Sequence, residues 1–368
     1  MTSKVVVVGG GVVGAATAWQ LARLGAEVVL VEQFAPGHDR GSSHGSSRIF
    51  RLAYPEADYV ALASRALELW RSLESAAGAD VLTLTGGVDH GPVEVTSALE
   101  ATLSAAGHRS ERLSPSEAAR RWPGLRFDTS VLVHPDAGRV DADAAVQALY
   151  AASATLGVEI RTHTRVERIS PSLDHVLVTL SGLTTITADR VVVAAGGWLP
   201  TLFGDLFPAA PPVRVTQEQP IHLAAATPLA WPSFIHHEGA ALPTGTGVYG
   251  LGAPEGVKIG HHGIGPVVDP DHRDRSVDPA RVEALVDYAR TWLPGVDTHT
   301  VTASTCLYST TPSSDFVIDA EGPVVLASAC SGHGFKHAPA VGELAAQVAL
   351  GLASAPERFR FSSVPSVR

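Results

Sequence analysis

The start of the chain alternates between short apolar runs and a longer stretch with helical periodicity. Val5 to Val8 is an unbroken β-branched run, the pattern of a strand that is buried on both faces of a parallel sheet. An alanine-rich stretch with helical spacing follows from Val13 to Leu24, and Gly25 ends it. Glu27 to Val31 repeats the buried-strand pattern. Together these runs predict a complete β-α-β unit.

Helical and strand-like patterns continue to alternate along the chain. They predict helices over Ala57–Ala77, Leu113–Trp122, Asp141–Leu156 and Arg281–Trp292, and strands over Val81–Val88, Val158–Ile160 and Arg190–Ala195, with further strands up to Thr187. Proline, histidine, glycine and threonine dominate 208–254, with short strands typical of an antiparallel sheet. The last part returns to a strand, a glycine-rich loop and a helix. We therefore predict an α/β fold whose nucleotide-binding domain comprises 1–85, 140–207 and 300–368, interleaved with a substrate domain of 86–139 and 208–299.

Composition and charge limit the class of protein. Of 368 residues, 45% are hydrophobic and 17% charged, which favours a large folded core over disorder. Two cysteines cannot form a disulfide scaffold for this length. A net charge of −10 disfavours nucleic acid or an anionic membrane as partner, and no apolar run is long enough to span a bilayer. We expect a soluble, cytoplasmic protein whose apolar N-terminus is a strand rather than a signal peptide.

Three glycines after the first strand have the spacing G-x-G-x-x-G. Gly9 permits a tight turn, Gly11 lets the backbone approach a pyrophosphate, and Gly14 lets helix and strand pack closely. The following helix presents unpaired N–H groups to the phosphates. Glu32 ends the second strand, where its carboxylate can accept hydrogen bonds from both ribose hydroxyls and disfavours a 2′-phosphate. The motif predicts a dinucleotide site without distinguishing NAD from FAD.

The segment GSSHGSSRIFRLAY, residues 41–54, concentrates positive charge just after this unit. It holds His44, Arg48 and Arg51. These side chains are either solvated on a surface loop or form a strip that binds a flavin and a carboxylate, since arginine can hold a carboxylate through two parallel hydrogen bonds.

Lysine is rare in this chain, which draws attention to the few that occur. Lys4, Lys258 and Lys336 are the three lysines among 27 cationic residues. Lys4 precedes the first strand and is expected to be solvated. Lys258 lies in GVKIGHH, where it shares a strand face with His262 or is an exposed lysine on an edge strand.

Histidines and cysteines suggest two further kinds of site. His261 and His262, with His236, His237 and Glu238 upstream, raise the alternative of a metal centre. Adjacent histidines on a strand point to opposite faces, so the pattern gives no compact ligand set and we expect no metal. The thiols of residues 306 and 330 could both be small buried hydrophobes, and the second, at the end of a strand, is the more plausible structural thiol.

Four separated blocks carry a resemblance to a known family. They are VVVVGGGVVGAATAWQLARLGAEVVLVE, GSSHGSSRIFRLAY, CLYSTTPSSDFVID and CSGHGFKHAPAVGELAAQVA. In order and spacing, over essentially the full length, the chain resembles the monomeric sarcosine oxidase and N-methyltryptophan oxidase group of D-amino-acid-oxidase-type flavoproteins. The resemblance implies FAD rather than NAD. It also implies an FAD-binding, Rossmann-like domain of the glutathione-reductase type with an interleaved antiparallel-sheet substrate domain.

The resemblance further implies roles for individual residues. Cys306 falls where the family joins its sulfur to the flavin 8-methyl carbon, and Lys258 falls at the oxygen-activating lysine. Arg51 and Lys336 match the pair that holds the substrate carboxylate. The remaining catalytic or pocket matches are Arg48, His44, His262 and Tyr249. The implied FAD contacts are Gly9, Gly11, Val12, Val13, Gly14, Glu32, Gln33, Ser42, Ser43, His44, Arg48, Val166, Ala195, Gly196, Trp198, Cys306, Gly332, His333, Gly334, Phe335 and Lys336.

The implied reaction is FAD-dependent oxidation of a secondary amino acid, N-methyl or cyclic, to an imine, with O2 reduced to hydrogen peroxide. The alternatives are a cyclic amino or imino acid oxidase or desaturase of secondary metabolism, a dehydrogenase using another acceptor, and a dinucleotide-binding protein without activity. Trp231 to Tyr249 departs from the family, and Ser46 and Ser47 stand where Asp-Thr is common in sarcosine oxidases. We therefore expect a monomeric enzyme for which a bulkier N-methyl amino acid, or a cyclic one such as pipecolate or proline, is at least as good a substrate as sarcosine.

Overall fold

A computed structural model describes residues 2–203, 206–239 and 247–361. Its α-helices are α1 (Val12–Arg23), α2 (Ala57–Ala77), α3 (Val93–Ala105), α4 (Pro115–Arg121), α5 (Ala142–Thr155), α6 (Leu199–Phe203), α7 (Pro279–Trp292) and α8 (Ala338–Ala349). Its strands are β1 (Lys4–Val8), β2 (Glu27–Val31), β3 (Arg48–Phe50), β4 (Leu82–Leu84), β5 (Gly87–His90), β6 (Glu111–Leu113), β7 (Val131–His134), β8 (Gly138–Val140), β9 (Glu159–Arg161), β10 (Val166–Pro171), β11 (Val176–Leu180), β12 (Thr185–Ala188), β13 (Arg190–Val193), β14 (Arg214–Glu218), β15 (Ile221–Ala225), β16 (Ser233–His236), β17 (Val248–Ala253), β18 (Gly256–His261), β19 (Val296–Ala303), β20 (Cys306–Thr310), β21 (Val317–Glu321) and β22 (Val324–Ser328). The predicted α/β class is confirmed. None of the helices in these ranges combines the length and the apolar character needed to cross a membrane.

A six-stranded sheet forms the centre of the first part of the molecule. Its order is β21-β22-β13-β1-β2-β9, and all neighbours are parallel except β21 and β22. The valine run of β1 lies in the middle of this sheet. Val5 and Val7 belong to a hydrophobic core shared with α1 and α8, whereas Val6 and Val8 belong to a second core shared with β11. The run is therefore buried on both faces, as predicted.

An eight-stranded sheet forms the second part, with the order β19-β15-β18-β17-β16-β5-β7-β6. The sequence predicted an antiparallel sheet, and the neighbouring strands are antiparallel with one exception. β5 and β16 run parallel, with His90 opposite His236. The two strands come from separate stretches of the chain, so no hairpin constrains them to be antiparallel. Helix α7 contributes Leu285 and Ala289 to the core on one face of this sheet.

One predicted strand is divided between two sheets. Val81–Val88 was predicted as a single strand, but the chain turns at 85–86, where both backbone N–H groups donate to the carbonyl oxygen of Ala137. β4, before the turn, pairs with β8 in a small sheet, and β5, after it, joins the eight-stranded sheet. The residues on both sides of the turn have a strand-like pattern, which conceals the change of sheet.

Helices α4 and α5 begin with side-chain caps, close to the positions that the sequence predicts. The hydroxyl of Ser114 accepts a hydrogen bond from the N–H of Glu117, and the carboxylate of Glu117 accepts one from the N–H of Ser114. This reciprocal capping box begins α4 with Pro115 in its first turn, as predicted. Asp141 caps α5 in a similar way through the N–H of Ala144.

Candidate active site

A cavity of about 640 Å³ opens between the two sheets. The cavity is lined by residues from the carboxyl ends of β1 and β2, from the segment 41–54, and from β16, β17, β18 and β20. Every residue that the sequence analysis assigned to cofactor or substrate lines this cavity except Gly14 and His44. The fold therefore brings together blocks that are separated along the whole chain.

The glycine loop shapes one end of the cavity. Gly9 has a φ of +100°, in the left-handed region that favours glycine, and the chain turns there into α1. Gly14 lies behind the loop, where a Cβ would overlap the carbonyl oxygen of Gly9. Its role is thus close packing, as predicted, and not contact with the cavity. Gly11, the N-cap of α1, carries no side chain that could cap the helix. The N–H of Val12 donates to the hydroxyl of Ser43 at 3.1 Å, and the other N–H groups of the first turn can face an anion.

Glu32 is buried at the end of β2 and holds the loop in place. One carboxylate oxygen accepts the N–H of Gly10 at 2.6 Å, and the other accepts the N–H of Phe34 at 2.8 Å. Tyr150 donates its hydroxyl to the carbonyl oxygen of Gly10 at 3.0 Å. Each carboxylate oxygen retains further acceptor capacity for ribose hydroxyls. The sequence identified Glu32 but gave no signal for Tyr150, whose partner lies on a distant segment.

Arg48 is fixed in the cavity wall by backbone carbonyls. Its guanidinium donates to the carbonyl oxygens of Ser47, Ser42 and His44 at 2.8, 2.9 and 2.7 Å. His44 is not among the residues that line the cavity, and its contact with the flavin stays a prediction. Burial, with Arg48 nearby, lowers the pKa of His44 to about 4, so the ring is neutral. His44 acts on the cavity through its backbone, by orienting Arg48.

Lys258 is buried on an interior strand, so the alternative of an exposed edge lysine is wrong. β18 has β15 and β17 on its two sides, and Lys258 is 8% exposed. Its ammonium donates to the carbonyl oxygen of Ser47 at 3.3 Å. Burial is the main cause that lowers the pKa of Lys258 to about 7, and Arg48 adds to it. The cavity wall therefore carries a cation that gains and loses its proton near neutral pH.

Both cysteines line the cavity as free thiols. Cys306 begins β20, directly opposite Glu218 on β14. Burial raises the pKa of the Cys306 thiol, and the nearby Arg48 and Lys258 oppose that rise. The sulfur of Cys330 accepts the N–H of Ser309 at 3.4 Å, a structural contact of the kind expected for this residue.

Arg51 and Lys336 approach the same tyrosine from different segments. The Arg51 guanidinium lies 4.6 Å and the Lys336 ammonium 5.6 Å from the ring centre of Tyr54. Lys336 donates to the Tyr54 hydroxyl at 2.9 Å and to the carbonyl oxygen of His333 at 2.7 Å. Burial, with Arg51 nearby, holds the pKa of Lys336 well below its usual range. Two cationic side chains thus converge on one side of the cavity, where a carboxylate would neutralise them.

Tyr249 and His262 complete this part of the wall. The ring of His262 lies 5.5 Å from that of Tyr308, and burial, together with Lys336 and Arg51, lowers the pKa of His262 to about 4. Burial raises the pKa of Tyr249. Both side chains are therefore neutral near pH 7.

Asp89 is a buried partner of the pocket that the sequence analysis missed. It is 1% exposed, and its carboxylate lies 2.9 Å from Nε2 of His134 and 2.7 Å from Nε2 of His237. Arg51 pairs with it at 3.4 Å. Hydrogen bonds from the two imidazoles hold the pKa of Asp89 well below its usual range despite burial. No local pattern marks this group, because its four members come from four separate segments.

The histidine-rich segment divides between the two faces of the eight-stranded sheet. His237 and Glu238 line the cavity, whereas the ring of His236 packs on the other face against Trp292 of α7. Adjacent histidines thus point to opposite faces, as predicted. The sequence gave no compact ligand set within one segment, but β5 brings His90 to within 4.0 Å of His236, measured between ring centres. Residues 240–246 of this divergent segment lie outside the described residues.

Comparisons with known proteins identify the family of this chain. The family model for FAD dependent oxidoreductases (DAO) matches residues 4–348. The monomeric sarcosine oxidase of Streptomyces avermitilis is 35% identical over 95% of this chain and 94% of that protein. That of Bacillus sp. is 33% identical over 94% and 92%. The open form of NikD, described as an unusual amino acid oxidase essential for nikkomycin biosynthesis, superposes with a TM-score of 0.84, 28% identity and coverage of 97% and 96%.

The residues of the cavity fit the cofactor that the family name states. The glycine loop and the first turn of α1 suit a pyrophosphate, and Glu32 suits a ribose. The loop 332–335, with Arg48 and Lys258, would surround a flavin ring beyond them. With this fit, and with relatives above 30% identity over almost the whole length, the chain belongs to the FAD dependent oxidoreductase family and is a sarcosine oxidase-like flavoenzyme.

Proposed function

We propose that this protein oxidises a secondary amino acid, N-methyl or cyclic, to an imine and reduces O2 to hydrogen peroxide. The observation that carries the proposal is the convergence of Arg51 and Lys336 on Tyr54, in the same cavity as the glycine loop. When bound, FAD supplies the acceptor for the hydride of the substrate α-carbon and the reductant of O2.

Arg51 and Lys336 bind the substrate carboxylate. Lys336 is buried, and without an anion its charged form is disfavoured. A carboxylate between the two side chains stabilises the charged form of Lys336. It also accepts charge-assisted hydrogen bonds from both side chains. Binding therefore fixes the α-carbon of an amino acid at a defined distance from this wall.

The remaining cations act on the substrate amine. Arg48 and Lys258 join the carboxylate-binding pair in one desolvated cavity. Their combined field disfavours a protonated amine, and only the neutral amine has the lone pair that assists departure of a hydride from the neighbouring carbon. We assign no side-chain general base, because departure of a hydride from the carbon next to a neutral amine removes no proton from that carbon.

Lys258 favours O2 as the electron acceptor. A buried cation stabilises the negative charge that develops on oxygen during its reduction. Lys258 is fixed by its bond to the Ser47 carbonyl and lines the same cavity as the flavin-contact residues. The names of two relatives, which call them monomeric, support a monomer for this chain as well.

The substrate side of the cavity differs from a pocket built for the smallest N-methyl amino acid. Ile235, His237 and Glu238 come from the divergent segment and contribute apolar and polar side chains to the cavity wall. Polar side chains there offer hydrogen bonds to a larger substituent on the α-carbon. We infer that bulkier N-methyl or cyclic amino acids are preferred over sarcosine.

A peroxide-coupled screen of N-methyl and cyclic amino acids tests the proposal. At least one member should give one hydrogen peroxide per substrate consumed. Arg51→Gln should raise KM by about 10- to 100-fold, because one charged hydrogen-bonding partner of the carboxylate is lost. Arg65→Gln, on a surface arginine paired with Glu343, is the matched control and should change nothing. Turnover of a dye without peroxide would contradict the role of O2, and a screen without any turnover would contradict the substrate class.

We further propose that Cys306 carries a covalent flavin. Its sulfur lines the cavity beside Arg48 and Lys258, whose charges offset part of the rise in thiol pKa that burial causes. After acid precipitation the flavin should remain in the protein pellet. Cys306→Ser should release it to the supernatant, and Cys330→Ser, the matched control, should retain it. Release from the wild-type protein, or retention by Cys306→Ser, would contradict the assignment.

A further inference from the structure

A second cluster of chemically active side chains lies outside the cavity, on the opposite face of the eight-stranded sheet. The parallel register of β5 and β16 places His90 beside His236, with ring centres 4.0 Å apart. The neighbouring residues Asp89 and His237 project to the cavity face, where they contact each other. Strand alternation therefore separates the two imidazoles from the substrate pocket.

A carboxylate completes this cluster. Asp128, in the loop before β7, is exposed to solvent. One ligand atom from each of His90, Asp128 and His236 lies within 4.8 Å of the others. Among the residues that the structure describes, no other group of three such side chains comes together in this way.

The two imidazoles are built into the fold. Each is 1% exposed, and Phe127 and Trp292 pack edge-on against them at 5.1 and 4.5 Å. Within the described part of the chain, Nδ1 of His90 is buried with no hydrogen-bond partner, and a bound ion or water would satisfy it. Nδ1 of His236 lies 3.3 Å from the hydroxyl of Tyr288, which fixes the ring and leaves Nε2 as the other ligand atom.

We propose that His90, His236 and Asp128 bind one divalent transition-metal cation of the zinc type. Two neutral imidazoles and one carboxylate suit zinc and its neighbours, whereas magnesium and calcium require oxygen ligands. Nitrogen and oxygen ligands lie about 2.0–2.2 Å from zinc, so tetrahedral ligands are about 3.4 Å from one another. The exposed Asp128 can close the difference by a side-chain rotation, and the solvent side leaves a position for water.

The position of this site indicates a structural role for the cation beside the substrate pocket. It joins β5, β16 and the loop before β7 on the face that packs against α7. The next residue of β5, Asp89, pairs with Arg51 on the other face. A cation bound here would therefore stabilise the strand that supports the carboxylate-binding arginine. The proposal does not depend on the identity of the amine substrate.

Zinc binding by the untagged, flavin-containing protein tests the proposal. After equilibration with a slight excess of zinc and dialysis, the wild-type protein should retain one zinc per chain by elemental analysis, and its Tm should rise with zinc concentration. Asp128→Asn and His236→Gln should each weaken zinc binding at least tenfold. Asp269→Asn is the matched control, because Asp269 forms an exposed pair with His272 at 2.9 Å and should leave zinc binding unchanged.

X-ray absorption at the zinc edge identifies the ligands. Nitrogen and oxygen ligands at about 2.0–2.2 Å would support the site, and sulfur at about 2.3 Å would place zinc on the cavity thiols and overturn it. Absence of retained zinc, or equal retention by the wild type and Asp128→Asn, would also overturn it. Asp128 is exposed, so its variant should fold even if His236→Gln does not.

Discussion

Three arginines and two lysines line one cavity in a protein whose overall charge is −10. Lys258 and Lys336 are less than 10% exposed, and each donates to a backbone carbonyl rather than to a carboxylate. Burial of an unpaired charge costs several kcal/mol, so this arrangement lowers stability in the absence of an anion. Such a cost at a cavity indicates selection for ligand binding and catalysis.

The role of Lys258 can be separated from substrate binding by measuring each half-reaction. Lys258→Met should slow reoxidation of the reduced enzyme by O2 about 10²- to 10³-fold, the range for loss of one preorganised electrostatic group. Reduction by substrate should slow by less than about threefold, because Arg48, Arg51 and Lys336 remain to bind the carboxylate and to disfavour the protonated amine. Stopped-flow measurement of both steps checks this, with Lys4→Met as a surface control. Equal effects on both steps would remove Lys258 from its assigned role.

The pH dependence of reoxidation follows from the same residue. The pKa of Lys258 is lowered to about 7, so its cation is present below that pH and is lost above it. Reoxidation of the wild type should therefore slow as pH rises from about 6 to about 9. The Lys258→Met enzyme should lack this transition. A transition preserved in the variant would assign the titration to another group.

At the scale of elements, Asp89 connects three segments of the eight-stranded sheet. It lies on β5, His134 ends β7, and His237 follows β16. Both imidazoles donate to one buried carboxylate, so the edge of the pocket depends on this single side chain. Asp89 also pairs with the guanidinium of Arg51, at 3.4 Å.

Asp89→Asn should destabilise the protein by about 2–4 kcal/mol at pH 7, because hydrogen bonds to a buried charge are weakened. The pKa of Asp89 is depressed in the fold, so its contribution is fully present above about pH 4 and is lost as the pH falls further. The difference from wild type in urea unfolding should therefore shrink at about pH 3. Asp269→Asn, with its exposed pair, should show little change at either pH. A difference that grows at low pH would contradict the charged role of Asp89.

At the scale of the whole molecule, predictability from sequence depends on how local each signal is. The β-α-β unit, the capped helices and the glycine loop after β1 could be predicted. The turn residues, capping residues and apolar spacing that mark them each lie within a few residues of one another. The roles of Lys258 and Cys306 came from a resemblance, and the fold places both in the cavity. The pairs His90–His236 and Asp89–His134 carry no local signal, since parallel pairing of distant strands brings them together.

The strand order of the six-stranded sheet also governs how the chain matures. β13 lies beside β1, but its other neighbour, β22, is synthesised only after the entire second sheet. Until then a nascent chain exposes one edge of β13 and the face of α1 that α8 covers, both lined with valine and alanine. The loop 332–335 that closes the cavity follows later still. Flavin can therefore be incorporated only after nearly the whole chain has been synthesised. A premature stop before this loop yields a chain with exposed apolar surface and an incomplete pocket.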